Sequence, residues 1–182
     1  VALGKDGIYK TIKKGSIYID NTTASADIAR GLAKNAEAHG FRFLDAPVSG
    51  GTIGAAEATL AIMVGGNQKV FNDHIDILKT LGNPTLVGPI ASGQISKLAN
   101  QIIVSLTIGA VAEAVSLCEK AGADPGKMIK ALTGGWADSK ILQTHGQRMI
   151  KKDFLPKGKT STQLKDLKNI LSCAKDSNLH LP

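Results

Sequence analysis

The sequence predicts an α/β segment followed by an all-α segment, dividing near residue 90. Two patterns predict it. Up to about residue 90 short apolar runs alternate with helical periods, as expected of strands and helices layered on a sheet. Beyond Ser92-Gly93 only helical periods and turn residues follow. A chain of 182 residues can bury a core of useful size, in one domain or two small ones. The expected domains are 1–90 and 91–182, with no flexible linker between them, so a long helix at the junction should pack against both.

Ile17-Tyr18-Ile19 reads as the first strand. Ala24 to His39 reads as a helix with Ile28 and Leu32 on one face. Phe41 to Leu44 is a second strand, Thr59 to Val64 a third and Thr85 to Val87 a short fourth. Between the last two, Val70, Phe71, Ile75 and Leu78 recur at helical spacing over Gln68 to Leu81. The long helix runs from about Gln94 to Lys120 and stops before Gly122, a C′ glycine. Asp124-Pro125 pairs an N-cap with proline at the first helical position, opening a helix to about Leu132 that ends at Gly134-Gly135. Two more helices are expected over Ser139 to Lys151 and Thr162 to Asp176.

Composition narrows the function. The net charge is +7, but the basic residues are scattered, and the densest group (Lys151, Lys152, Lys157, Lys159) is interleaved with Asp153, Pro156 and Gly158. Without aromatic residues spaced for base stacking, a nucleic-acid partner is not expected. A mild positive field suits an anionic substrate and a phosphate-bearing cofactor. No uninterrupted apolar run is long enough to span a bilayer, and Ile102 to Val115, broken by Ser105, Thr107 and Glu113, reads as a buried helix. No membrane partner is therefore expected. The first residues lack a signal-peptide pattern, which makes the cytosol the default, with an organelle matrix the other option. The two cysteines, Cys118 and Cys173, lie far apart and read as free packing thiols. His39, His74 and His180 lack metal-ligand spacing, and His145 reads as structural, so no metal site is expected.

Two stretches carry candidate chemistry. Ser49-Gly50-Gly51 follows the second strand, and in open α/β sheets ligands bind beyond the carboxyl ends of strands. Successive glycines let backbone N–H groups converge on an anion, and Ser49 adds a hydroxyl, which suits a substrate carboxylate. Lys97 falls about one turn into the long helix, with Asn100 and Gln101 three and four residues on and sharing its face. The apolar neighbours Ile95, Leu98 and Ile102 argue against full exposure. A desolvated lysine has its pKa lowered toward neutrality and becomes a usable acid or base. The amides would orient a hydroxyl or carboxylate. Trp136 either lines a pocket or packs at a helix start, with packing preferred.

These stretches extend into longer blocks: Asp45 to Gly66, ending Met63-Val64-Gly65-Gly66; Gly88-Pro89-Ile90-Ala91-Ser92-Gly93-Gln94-Ile95-Ser96-Lys97; Gly134 to Ser139; and Gln163-Leu164-Lys165-Asp166-Leu167. Together they closely resemble the β-hydroxyacid dehydrogenase family, the 3-hydroxyisobutyrate dehydrogenase and tartronate semialdehyde reductase group. Ala58 departs from the pattern where many members carry glycine. The resemblance implies an incomplete Rossmann-like sheet, a helical domain behind it, and hydride transfer between NAD or NADP and a small 3-hydroxy acid or semialdehyde. 3-Hydroxyisobutyrate leads, ahead of tartronate semialdehyde and threonate-like acids. It makes Lys97 the proton donor or acceptor, Ser49, Gly50 and Gly51 the carboxylate cradle, and Lys165 a group that closes the site near the cofactor. The amide role falls to Asn100 or to Gln101. A non-catalytic binding or scaffold relative is the alternative.

One family element has no counterpart in these residues. No G-x-G-x-x-G turn for a pyrophosphate occurs, and the resemblance covers only the middle and later part of the family. The residues choosing NAD or NADP are therefore not legible. On this reading the chain, taken alone, is expected to be inactive, to bind dinucleotide weakly or not at all, and to associate, as a homo-oligomer or within a longer polypeptide, because a sheet missing its first strands exposes an edge.

Overall fold

The computed structural model describes residues 1–156 and 158–181. Compactness divides the chain into two units, Val1–Asn100 with Lys165–Pro182, and Gln101–Leu164.

In the first unit β1 (Ile17–Asp20) leads into α1 (Ala26–Ala38), whose N-cap Ser25 accepts the Ile28 N–H. β2 (Arg42–Asp45) returns parallel to β1, pairing Ile17 with Arg42 through Asp20 with Asp45. β3 (Val48–Ser49) and α2 (Gly51–Ala56) follow, then β4 (Leu60–Gly65), α3 (Gln68–Lys79) and β5 (Gly82–Gly88). β4 runs antiparallel to both β2 and β3, and parallel to β5. The result is a five-stranded mixed sheet, β1-β2-β4-β3 with β5 on β4. One core joins Leu44, Leu60, Ile62, Val64, Phe71 and Leu78; a second gathers Tyr9, Leu32, Phe41 and Phe43.

α4 (Ser92–Lys120) begins in this unit and continues into the next. In the second unit Val111 and Val115 pack with Ile129 of α5 (Pro125–Leu132) and with Leu142. Gly122 takes φ +80° and ends α4, while Asp124 caps α5 by accepting the Gly126 and Lys127 N–H groups. The helix expected over Ser139 to Lys151 runs over 140–150, with a π-helical turn (Leu142–Gly146) inside it before α6 (Gln147–Ile150). Gly146 lies so close to Ile129 that a Cβ there would be 2.7 Å from Ile129 Cδ1. α7 (Thr160–Asp176) closes the chain's helices.

Two expectations need correction. Ile102 to Val115 is not a buried helix: only 17% of α4's most apolar stretch is buried, and Ile103, Leu106 and Leu117 are exposed. Apolar residues surround α4 on all sides, and the residues packed against it cover one side. By length and composition alone α4 could cross a bilayer, a property it shares with core helices of soluble proteins. Trp136 is fully exposed and so packs at no helix start.

Candidate functional site

Lys97 lies on the second turn of α4 and is 8% exposed. Leu98 beside it is buried and Ile102 half-buried, whereas Ile95 is exposed. Burial pushes the Lys97 amine below the usual lysine range. The negative charge of Asp166 opposes that shift, and the positive charge of Lys165 adds to it. Asn100 and Gln101 follow on the same helix and are half-buried.

Lys165 and Asp166 come from α7. Lys165 Nζ donates to the Thr23 carbonyl at 2.7 Å and lies 2.9 Å from Asp166 Oδ1. Asp166 is buried, and Lys165 is half-exposed. Asp166, Ile170 and Ala174 form the buried stripe of α7, so a carboxylate occupies a position of apolar periodicity. That stripe was the available signal for Asp166, which the motif reading quoted without a role.

A buried polar joint supports this lysine. β1 and β2 end side by side at Asp20 and Asp45. Asp45 is wholly buried and receives the Ala91 N–H on Oδ1 at 2.8 Å and the Gln94 N–H on Oδ2 at 2.9 Å. Both amides belong to the start of α4, which Asp45 thereby caps from another element. Burial raises the Asp45 carboxyl above the usual range, and the backbone N–H groups pull the other way. A Cβ at Gly93 would stand 2.8 Å from Asp45 Oδ2, so this close approach of helix and carboxylate requires glycine. Asp20 Oδ1 accepts the Thr22 N–H at 3.0 Å and its hydroxyl at 2.7 Å, which shapes the loop after β1. Asn21 Nδ2 adds a bond to the Ala46 carbonyl at 2.7 Å.

Ser49, Gly50 and Gly51 sit where β3 passes into α2. Gly50 has φ +143° and Gly51 φ +62°, and a Cβ at Gly50 would meet Leu60 Cδ2 at 3.0 Å, so the turn depends on both glycines. Ser49 is half-buried and the glycines are exposed. The structure thus brings Lys97, Lys165 and the loop 22–24 together. Among the described residues no hydrogen bond joins Ser49–Gly51 to Lys97. Gln101 belongs to the second compact unit and accepts the Ser105 hydroxyl at its carbonyl. His145 shares a 3.1 Å contact with Thr144 Oγ1 through Nδ1, and burial lowers its pKa. Cys118 and Cys173 are free thiols. Among the described residues no cluster of His, Cys, Asp and Glu could hold a metal ion.

The residues that would meet a bound dinucleotide here are the loop after β1 and Lys165. The loop 21–25 lies beyond the carboxyl end of β1, where such ligands bind in open α/β sheets. It is partly exposed, and the half-exposed Lys165 supplies a cation at Thr23. The pyrophosphate-binding glycine motif is not among these residues.

Comparison with known proteins shows the family. A family profile described as the NAD binding domain of 6-phosphogluconate dehydrogenase matches residues 1–91. A second, described as NAD-binding of NADP-dependent 3-hydroxyisobutyrate dehydrogenase, matches residues 91–182. Among curated proteins, 2-hydroxy-3-oxopropionate reductase of Escherichia coli is 46% identical over all of this chain and 63% of its own length. Among solved structures, 3-hydroxyisobutyrate dehydrogenase of Mycobacterium tuberculosis with L-serine has a TM-score of 0.84 at 30% identity, covering 96% of this chain and 63% of that one. A 3-hydroxyisobutyrate dehydrogenase of Salmonella typhimurium has a TM-score of 0.87 at 27% identity, covering 97% and 63%. The chain therefore spans less than two thirds of the length of these relatives.

Both profiles describe NAD-binding domains of dehydrogenases, a class whose cofactor is NAD or NADP. The chain belongs to the β-hydroxyacid dehydrogenase family.

Proposed function

We propose that this chain is the substrate-side part of an NAD(P)-dependent dehydrogenase that interconverts a small 3-hydroxy acid and its semialdehyde, with Lys97 as the proton-transfer group. The observation that carries this reading is the burial of Lys97 and the consequent lowering of its pKa, which makes the amine easier to deprotonate than an exposed lysine and so fits it to give and take a proton. Bound nicotinamide would accept the hydride from the hydroxyl-bearing carbon, or return it. In oxidation Lys97 Nζ takes the hydroxyl proton as that hydride leaves; in reduction it returns the proton to the new alkoxide oxygen. Ser49, Gly50 and Gly51 hold the substrate carboxylate, Asn100 or Gln101 orients the reacting oxygen, and Lys165 anchors the loop 22–24 beside the cofactor.

Two substrates lead, 3-hydroxyisobutyrate and 2-hydroxy-3-oxopropionate. The 46% identity to a reductase of the latter supports placing it first, ahead of the aliphatic acid named for the structures at 30% and 27%. The exposed Ile103, Leu106 and Leu117 on α4 support a homo-oligomer, working in the cytosol or an organelle matrix.

The test is nicotinamide absorbance with each substrate, run on this chain and on a polypeptide extended upstream through a dinucleotide-binding glycine motif. Turnover by the extended protein, with kcat reduced about 10²–10⁴-fold by Lys97→Ala, is the expected result. Turnover that survives Lys97→Ala would remove Lys97 from the chemistry, and folded but inactive protein of both lengths would favour a non-catalytic relative.

A further inference from the structure

Gln94 has no exposed surface, yet its backbone N–H and both ends of its side-chain amide have partners. Its backbone N–H donates to Asp45 Oδ2 at 2.9 Å. Its side-chain Nε2 donates to the Thr22 carbonyl at 2.8 Å, and Oε1 accepts the Ala24 N–H at 2.9 Å. One residue therefore ties together the end of β2, the loop after β1 and the first turn of α4. A buried amide is costly unless both ends are satisfied, and here both ends are spent on the backbone of one loop. Lys97 follows three residues later on the same helix. The intervening carbonyl, Thr23 O, is held from α7 by Lys165. The loop is thus gripped at three successive residues by two helices, one of which carries Lys97.

We propose that Gln94, seated on Asp45, is a positioning residue: its amide fixes the distance between Lys97 and the loop 22–24, and so the placement of the lysine against the reacting oxygen. The proposal rests on the reading of Lys97 as the proton-transfer group. Reacting atoms must approach within about 3–3.5 Å, and a displacement of about 1 Å can cost roughly 100-fold in rate. A loop that drifts from α4 would lower kcat with little change in KM, because the carboxylate cradle at Ser49–Gly51 lies on other elements.

Gln94→Glu tests it with a signature that simple loss of packing does not produce. The ionised carboxylate can still accept the Ala24 N–H but has no hydrogen for the Thr22 carbonyl. Once protonated, the carboxyl donates to Thr22 O and accepts from Ala24, restoring both bonds. The surrounding titratable groups are Asp45 below, Asp20 at the end of β1, Lys97 on α4, and Lys165 and Asp166 on α7. All of them are present in the parent protein, which is the control at each pH.

In the extended polypeptide we expect the ratio of variant to parent kcat to be down about 10- to 100-fold at alkaline pH and to recover toward one as pH falls, with KM nearly constant. In this chain, the Ala24 amide should be protected from exchange in the parent and in Gln94→Glu, whose carboxyl accepts that N–H in either protonation state, and should lose its protection in Gln94→Met. A kcat ratio near one at all pH, or Ala24 exchange as fast in the parent as in an exposed loop, overturns the proposal. If Gln94→Glu fails to fold, Gln94→Met keeps the volume without either bond: kcat should fall at every pH without recovery, and an unchanged kcat is equally fatal. Should Lys97→Ala turn over like the parent, the proton-transfer reading falls and the positioning role with it. An inactive Lys97→Ala beside a pH-independent, fully active Gln94→Glu removes the positioning role alone.

Discussion

Replacing Asp45 by alanine should be among the most damaging single changes in the first unit, although Asp45 belongs to neither hydrophobic core. The carboxylate takes the Ala91 and Gln94 N–H groups at 2.8 and 2.9 Å with no exposed surface. Removing it leaves two buried backbone donors at the start of α4, at about 1–3 kcal/mol each, for a gross loss of about 2–6 kcal/mol. Relief from burying a carboxylate offsets part of this, since burial is the largest influence on Asp45 and raises its pKa. A net loss of about 2–4 kcal/mol remains, a large share of a domain's usual stability of about 5–15 kcal/mol.

With a urea m-value of about 1–3 kcal/mol/M, the unfolding midpoint should fall by about 1–2 M, read by circular dichroism. The pH dependence has a definite sign. A carboxyl with a raised folded pKa binds its proton earlier in the folded state, so the parent gains stability as pH falls through that pKa toward the ordinary carboxylate value. The gap between parent and variant should therefore widen in that window. A midpoint shift below about 0.3 M, with unchanged exchange at Ala91 and Gln94, would refute the capping role.

Lys97→Met should stabilise the protein at neutral pH, because the folded state holds the amine below its usual range. That cost is fully present below the folded pKa and is relieved between it and the unfolded value, so the stability difference should shrink as pH rises through that interval; a pH-independent difference counts against a desolvated lysine. Ala58 has φ +53°, a left-handed conformation costing a non-glycine residue about 1–2 kcal/mol. Ala58→Gly recovers this less about 0.4–1 kcal/mol of unfolded-chain entropy. The melting temperature should rise by about 2–4 °C, and a fall would show that the alanine methyl is needed for packing.

Periodicity made β1, β2, β4, α1 and α3 legible to within a few residues, because each buries one regular face. β3 and α2 were not, since two strand residues carry no period and Gly51-Thr52-Ile53-Gly54 reads as loop. β5 proved longer than Thr85 to Val87 because Gly82, Asn83 and Pro84 look like a turn. Proline is tolerated there because, among the described residues, β5 pairs with β4 alone and its other side carries no ladder. In the second unit, the π-helical turn at Leu142–Gly146 has no sequence signature beyond the glycine it brings against Ile129. The candidate site was half legible. Lys97 and Lys165 stand out in the sequence through their blocks, and the meaning of Ala58 became clear only once its φ was known. Asp45 and Gln94 escaped, since contacts across 46 to 72 residues of chain are set by the fold and leave no local pattern, whereas Asp166 lay on the legible buried stripe of α7.

The buried polar side chains supply the stronger argument for where function resides. Among the described residues they are Asp20, Asp45, Gln94, Lys97 and Asp166. Asp20 and Asp45 end adjacent strands, Gln94 bonds to Asp45 and to the loop that Asp20 shapes, and Asp166 bears on Lys97. All five therefore belong to one connected region beyond the carboxyl ends of β1 and β2, while the sheet and its flanking helices are otherwise filled with apolar side chains. Stability does not ask for this, because well-packed apolar residues in place of buried charges are often neutral or better. A fold that confines its buried polar groups to one place, and caps a lysine-bearing helix there with a carboxylate from another element, holds that lysine in a defined position at a cost in stability. Titratable groups perturbed in this way cluster at catalytic sites, which is why Lys97 is the residue on which the proposed chemistry turns.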